Sequence, residues 1–190
     1  MLLQVTLDLE SLSSTIHQLL PFEIRLSDAD GPDHTLFVDR PEHLEIVADR
    51  GLRMDAPARL RWTIAGVAVP VTVTSARILL IPEIAEREGH DYLSFSFFVE
   101  QADLKHVPAF IDDKVVDKVN EALRSEGARL EWKFLDTLTF GCDLPASIKP
   151  KRRLELNPRW GALKITEEAF ICSVSYHSAI VDEKDDGHAT

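Results

Sequence analysis

An alternation of apolar and polar residues with a period of two is the feature that most constrains this fold. Leu93, Phe95, Phe97 and Val99 alternate with Ser94, Ser96 and Glu100. Successive side chains of a β-strand point to opposite faces, so this stretch predicts a half-buried strand with an aromatic inner face. The same alternation predicts strands at residues 58–64, 67–81, 129–134 and 170–176, and shorter ones at 35–38, 44–48, 52–54, 153–156 and 162–165.

Two prolines bear on the predicted strand at residues 67–81. Pro70 has no N–H to give to a sheet, so the strand must lie at an edge or be irregular there. Pro82 predicts the end of the same strand. A change of phase at Ala65-Gly66 predicts a turn or bulge just before it.

Two segments have the spacing of amphipathic helices. In the first, from Ser11 to Leu20, Ser11 is the expected N-cap and Pro21 ends the run. The second begins near Pro108 and is expected to stop at Gly127. A helix of about 18 residues is about 27 Å long, so its apolar stripe needs a cover of comparable length, which only the strands can provide.

Length and charge bound the domain count and the partners. The 190 residues include 21 Lys and Arg against 32 Asp and Glu, a formal charge of −11. We expect one domain over residues 1–181, followed by a disordered acidic tail at 182–190. The acidic balance argues against nucleic acid as a partner, since a phosphate-binding surface needs a basic excess.

The cysteines and the amino terminus bear on the cellular compartment. Cys142 and Cys172 stand 30 positions apart, and the chain has no CxxC motif. This spacing argues against a zinc ribbon or a redox pair and predicts free thiols in strands. No stretch approaches 18 consecutive apolar residues, and the opening MLLQVTLDLE lacks the basic start of a signal peptide. A soluble, cytoplasmic protein is the expectation.

The sequence also resembles a known family over three regions. They are the opening VTLDLESLSSTIHQLLP, the strand and helix YLSFSFFVEQADL and VPAFIDDKVVDKVNEALRSEG, and the late segment LPASIKPKRRLELNPRWGALKITEEAFICSVSY. In order and texture these stretches resemble the tubular lipid-binding (TULIP) superfamily, in its bacterial single-domain type, over roughly residues 1–181. The resemblance implies an α+β fold in which a long, curved antiparallel sheet wraps around one long amphipathic helix, with a short N-terminal helix.

The same resemblance implies an apolar groove between helix and sheet that binds a lipid or another long hydrophobic molecule. A ligand in that groove would contact the inner stripe: Ile111, Val115, Val119 and Leu123 on the helix, and Phe95, Phe97, Trp132 and Phe134 on strands. A filled core produces the same alternation as an open tube, so the pattern itself leaves both alternatives open.

Residues able to carry metal or catalytic chemistry are scattered. Asp28, Asp30 and Asp33 resemble a calcium loop, but Gly31 and Pro32 do not fit its ligand order, which favours an exposed turn. The seven histidines form no zinc motif, and the chain has no GxSxG, GxGxxG or P-loop sequence. We therefore expect no enzyme activity, no metal and no cofactor.

The one basic run suggests a membrane contact. Lys149, Lys151, Arg152 and Arg153 could meet an anionic headgroup or a membrane surface, although a charged, solvated turn is the simpler interpretation. For the whole chain, noncatalytic binding of a hydrophobic ligand is the first hypothesis. The alternative is a protein–protein interaction or structural module with a filled core, in which an edge strand pairs with a second copy, as in a homodimer, or with another protein.

Overall fold

The structure of the protein, a computed structural model, describes residues 1–182 except 27–33, 65–66, 88–89, 106–108, 126, 133–137 and 146. The elements within these residues are β1 Leu2–Asp8, α1 Leu9–Leu19, β2 Phe22–Arg25, β3 Thr35–Val38, β4 His43–Val47, β5 Gly51–Ile64, β6 Val67–Arg87, β7 His90–Leu104, α2 Ala109–Ser125, β8 Arg129–Trp132, β9 Phe140–Asp143, β10 Arg152–Ile165 and β11 Ala169–Asp182. The Cys172 thiol lies in β11 and the exposed Cys142 thiol in β9, and both are free.

The strands form two curled antiparallel sheets. A four-stranded sheet has the order β1-β11-β10-β9, and a seven-stranded sheet has the order β2-β3-β5-β6-β7-β8, with β4 also paired to β5. The predicted α+β architecture, one long sheet around one long helix, is therefore wrong, and the described chain is mostly β. The error arose because alternation predicts strands but not their partners. The N-terminal strand β1 pairs with the C-terminal β11, which forms a second sheet.

The two helices lie close to the predicted segments, and their ends have clear local causes. Helix α1 is capped by Asp8, whose carboxylate accepts the Ser11 N–H at 2.8 Å, so the prediction of Ser11 as N-cap was wrong. The prediction for the end of α2 is confirmed. Gly127 has φ +60°, and the next amide, that of Ala128, donates to the Leu123 carbonyl.

The prolines of β6 occupy places where the strand has only one neighbour. Pro70 pairs with Arg61 of β5 in a part of β6 that β7 does not reach, so of the two predicted alternatives, an edge or an irregularity, the edge position describes it. Pro82 does not end the strand as predicted, because β6 continues to Arg87. Its β5 partner ends at the Leu52–Leu80 pair, so the missing N–H of Pro82 interrupts no ladder on that side.

The main core lies between the seven-stranded sheet and the two helices. It includes Met54, Ile78 and Val38 from the sheet, all almost fully buried, and Ile16 and Val119 from the helices. A smaller cluster around Leu93, Val174 and Tyr176 joins the two sheets. Within the described part of the chain, neither helix has the length and apolar composition needed to cross a membrane.

Candidate functional site

A cavity of about 280 Å³ lies at the edges of the seven-stranded sheet. We call it the β2–β8 cleft, and its lining residues are Leu19, Phe22, Glu23, Ile24, Arg25, Phe97, Ala128, Arg129 and Leu130. These lining residues are consecutive along β2 and along the start of β8, and consecutive side chains of a strand point to opposite faces of its sheet. The cavity therefore borders the rims of both edge strands. Among the described residues, no further strand pairs with either edge.

The floor of the cleft is apolar. The rings of Phe22 and Phe97 lie 5.4 Å apart between centroids, and Ile24 is buried beside them. At the mouth, Leu19 is 52% exposed and Leu130 39% exposed, so apolar surface faces solvent on two sides of the opening. Water is a poor solvent for such a surface, so a ligand that covers it is favoured.

Backbone groups of β2 form one wall of the cleft. The Leu26 amide donates to the His34 carbonyl at 2.8 Å, which makes this pair a hydrogen-bonded pair of the β2–β3 ladder. Opposed residues of an antiparallel ladder alternate between hydrogen-bonded and non-bonded pairs. The register Glu23–Phe37 therefore belongs to the non-bonded set, and the N–H and C=O of Glu23 point away from β3, toward the cleft.

Backbone groups of β8 form the opposite wall of the cleft. Their direction is given by the same alternation of hydrogen-bonded and non-bonded pairs, here between β7 and β8. The amide and carbonyl of Val99 bond to Asn120 and so point away from β6. The register of β7 is regular from Val99 to Phe95, and Phe95 lies four residues from Val99, so its backbone N–H and C=O also point away from β6. They therefore point toward β8, which makes Phe95–Leu130 a hydrogen-bonded pair. The neighbouring pair is non-bonded, and the backbone N–H and C=O of Arg129 point outward from β8.

Three charged side chains border the mouth of the cleft. They are Glu23 and Arg25 on β2 and Arg129 on β8. The Arg129 guanidinium lies 3.4 Å from the Glu83 carboxylate, and both side chains are partly exposed. Arg25 and Arg129 thus stand with Glu23 and Glu83 at this opening, so positive and negative side chains are balanced there.

The predicted groove residues occupy two different places. Phe97 lines the cleft, whereas Val119 and Leu123 are buried in the main core and Val115 packs against it. Phe95 is partly buried and contacts both hydrophobic clusters. Three predicted residues cannot be placed by side chain: Ile111 and Trp132 are described by backbone alone, and Phe134 lies outside the described residues.

The interface between α2 and the seven-stranded sheet is closely packed. Its cavity, lined by Val115, Val116 and Val119 on the helix, has a volume of about 20 Å³. A cavity of about 10–15 Å³ already holds one water molecule, so this space suffices for about one water and is far too small for an acyl chain. Of the two alternatives that alternation leaves open, the filled core describes this interface. The eight predicted groove residues as a set remain a prediction. Among them, Phe97 lines a cavity large enough for part of a ligand, the β2–β8 cleft.

Most cleft residues were not among the predicted site residues. Phe22 and Ile24 alternate with charged residues, but an alternation over only four residues is too short to predict a strand. Leu19 was assigned to the apolar stripe of the first helix, and Leu130 to a predicted strand. Nothing in the sequence indicates that β2 and β8 border the same cavity, because that depends on how strongly the sheet curls.

A buried asparagine fixes α2 against the sheet. Asn120 is 5% exposed, its side-chain oxygen accepts the Val99 N–H, and its side-chain nitrogen donates to the Val99 carbonyl, both at 2.8 Å. Strand β8 pairs with β7 only at residues 93–96, so Val99 lies beyond its reach. The asparagine replaces a neighbouring strand at this position and helps to hold Phe97 next to the cleft.

An ion-pair network covers part of the sheet's outer face. The Arg53 guanidinium lies 2.6 Å from Glu45 and makes two contacts with Glu100, at 2.6 and 3.2 Å. Arg50 adds a contact to Glu100 at 3.1 Å. The hydrogen bond from Arg53 lowers the pKa of the Glu100 carboxyl, and the same pairing raises the pKa of Arg53. The paired charges link β4, β5 and β7 and serve stability.

A second cavity, of about 360 Å³, lies against the outer face of β2, β3 and β5. Its lining is largely polar and includes Glu23, Thr35 and Arg61. The Arg59 guanidinium carbon lies 4.2 Å from the Phe37 ring centroid, which is a cation–π contact. The arginine and the ring contact each other, and polar groups make up a larger share of this lining than of the cleft's, so this cavity is a weaker candidate for an apolar ligand.

The other sequence candidates add little chemistry. Asp28, Asp30 and Asp33 lie outside the described residues. Across the part of the chain that the structure describes, no three His, Cys, Asp or Glu side chains gather as a metal site would require. On α2, Glu121 pairs with Lys118 at 2.6 Å on the exposed face. Burial raises the pKa of the Cys172 thiol, which makes it less reactive.

The basic run lies beside β9 at the start of β10. Lys149, Lys151, Arg152 and Arg153 are all exposed. Arg152 contacts Asp182 at 3.2 Å, and the Arg153 side chain packs over Gly141. Next to the run, Ile148 is 43% exposed, so an apolar side chain accompanies the positive charges.

Comparisons with known proteins give one distant structural similarity. No family model matches the chain, and no curated protein matches it in sequence. A crystal structure of a lipopolysaccharide binding protein matches with a TM-score of 0.39 and 11% sequence identity. The match covers 99% of this chain and 52% of that one, so the chain spans about half the length of that protein.

Proposed function

We propose that this protein binds, without catalysis, one end of a lipid or another long hydrophobic molecule in the β2–β8 cleft. The observation that carries the proposal is the apolar floor of Phe22, Ile24 and Phe97, which continues to the exposed Leu19 and Leu130 at the mouth. Cytoplasmic location and the lack of enzyme activity are part of this proposal.

The volume of the cleft sets the size of the bound part. At about 30 Å³ per water molecule, 280 Å³ is equivalent to about nine waters. Ligand pockets are usually about 300–1,000 Å³, so the cleft suits a short apolar segment of a longer molecule. Each methylene buried there contributes about 0.8 kcal/mol, so affinity should rise with chain length until the cleft is full.

Two measurements test the proposal. Organic extracts of the natively purified protein are examined for lipid by mass spectrometry, and a fluorescent fatty acid is titrated into delipidated protein. Leu130→Asp should sharply reduce fatty-acid uptake, because it places a desolvation-costly negative charge at the apolar mouth and repels the carboxylate of the probe. The matched control is Val5→Asp, since Val5 is 41% exposed, as Leu130 is 39% exposed, but lies on β1 and not in the cleft. Clean extracts and no uptake by the unaltered protein would refute the proposal.

We also propose a peripheral membrane contact through the basic run. Lys149 and Lys151 stand beside the exposed Ile148, a combination that suits an anionic bilayer surface. Binding to vesicles with 30% phosphatidylserine should fall in a Lys149→Glu/Lys151→Glu variant and at high salt. Equal sedimentation of both proteins with such vesicles would exclude this contact.

The interaction hypothesis is a second candidate, and the four-stranded sheet favours it. Leu2 on β1 and Trp160 on β10 are 60% and 50% exposed. Leu2 and Trp160 both oppose Ser175 of β11, so they share one face of the sheet. We propose pairing of two copies there. A Leu2→Ser/Trp160→Ser variant should have half the mass of the unaltered protein by light scattering, and a monomeric unaltered protein would refute the pairing.

A further inference from the structure

The walls of the β2–β8 cleft narrow the class of ligand beyond a hydrophobic molecule. A fatty acid satisfies the apolar floor, but its alkyl chain has no hydrogen-bonding group and its one carboxylate can only accept, so it cannot serve the outward backbone N–H and C=O groups of both Glu23 and Arg129. An extended peptide has both kinds of group. We propose that the ligand is an extended hydrophobic peptide segment that adds as a strand between β2 and β8, and this inference rests on the proposed function.

The strand directions allow such an insertion. Every neighbouring pair from β2 through β3, β5, β6 and β7 to β8 is antiparallel, so β2 and β8 run in opposite directions. An inserted strand is then antiparallel to one edge and parallel to the other, and both kinds of ladder form in proteins. Both edges are four residues long, about 13 Å at 3.3 Å per residue, so four or five residues of the peptide would pair.

The surroundings also specify the side chains of the peptide. Residues at alternate positions would face the floor formed by Phe22, Ile24 and Phe97 and should be apolar. The residues between them would face outward, toward the rim. Arg129 borders that rim, and its contact with Glu83 is long, at 3.4 Å, and partly exposed, so an acidic residue at the central outward position would add a second partner for Arg129.

The test uses delipidated protein loaded with the fluorescent fatty acid and the peptide acetyl-TVEVTV-amide as displacer. The matched control peptide is N-methylated at its two central residues, which removes one N–H toward each wall and leaves the side chains in place. Each lost hydrogen bond should weaken binding about fivefold, so the control should displace the fatty acid at least tenfold less well.

A pair of variants tests the wall from the protein side. Glu23→Pro removes the N–H that points into the cleft and leaves the β2–β3 ladder intact, because that N–H does not bond to β3. It should weaken the peptide about fivefold, and more than it weakens the fatty acid, whereas Glu23→Ala should weaken the peptide less than Glu23→Pro does. If the proline variant does not fold, the comparison of the two peptides on the unaltered protein decides.

The outcomes separate this inference from the proposed function. Fatty-acid binding that the peptide cannot displace, or that both peptides displace equally, would overturn the inference and leave hydrophobic-ligand binding in place. Failure of the fatty acid and the peptide to bind would overturn both. Displacement by the first peptide alone supports a strand-like ligand.

Discussion

Replacement of Asn120 by leucine is a direct test of how α2 is attached to the sheet. Leucine has the same number and branching of side-chain heavy atoms, although its methyl groups are bulkier, so the change removes two hydrogen bonds to Val99 and leaves no empty space. The site is 5% exposed and both bonds are 2.8 Å long. A buried backbone group left without a partner costs about 1–3 kcal/mol, so the loss from two groups is about 2–4 kcal/mol after partial relaxation.

The assay is thermal unfolding combined with amide hydrogen exchange. For a chain of this size 1 kcal/mol corresponds to about 2–4 °C, so Tm should fall by roughly 5–15 °C. The Val99 amide should exchange faster in the variant than global destabilisation alone explains. Asp117→Leu, at an exposed site on the same helix, measures the effect of leucine on α2 itself. Equal stability of the two variants, with unchanged protection of Val99, would show that Asn120 is not the attachment.

Three further predictions follow from packing and charge. Gly51→Ala should cost more than 2 kcal/mol of unfolding free energy in urea, because a Cβ would lie 2.0 Å from the Leu80 carbonyl oxygen, whereas Gly127→Ala, with open space around it, should cost about 1 kcal/mol. The pKa of Glu100 is lower in the folded protein than in the unfolded chain, so the unfolded chain takes up a proton more readily. The stability that Glu100 contributes is therefore complete above about pH 4.5 and is lost as pH falls through the folded pKa. Glu100→Gln should make the unfolding free energy fall less steeply with pH in this acidic range. Val115→Trp should overfill the packed α2 interface and lower stability by about 1–3 kcal/mol while fatty-acid binding in the cleft persists; unchanged stability would contradict the filled core.

The local elements could be predicted because their patterns are local. The alternation at 93–99 lies inside β7, and the helical stripe ending near Leu123 lies inside α2. Positions that depend on distant partners could not be predicted in this way. Residues 2–8 were not assigned as a strand, and β1 forms by pairing with β11 at the other end of the chain, as in the pair Leu3–Val174.

The candidate site likewise combines one residue that a local pattern predicts with neighbours that depend on distant parts of the chain. Phe97 could be predicted as an inward-facing aromatic residue, because its own strand alternates clearly. Its neighbours Phe22 and Leu130 come from short strands at opposite ends of the sheet order. Their meeting depends on the curl of a six-strand path, and curl arises from twist, bulges and packing summed over many residues. No local pattern records that sum, so the cleft could be found only in three dimensions.

The short, charged edges of the sheet bear on what the cleft can accept. Edge strands are commonly kept from indiscriminate pairing by short length and charged side chains, and β2 and β8 have both. Glu23 and Arg25 on one edge, and Arg129 and Glu131 on the other, would disfavour an apolar strand that approached from outside. The apolar floor around Phe97 stabilises only a bound segment that has apolar residues on its inner face. The difference in affinity between a fatty acid and a peptide of equal apolar area therefore measures what the backbone walls contribute.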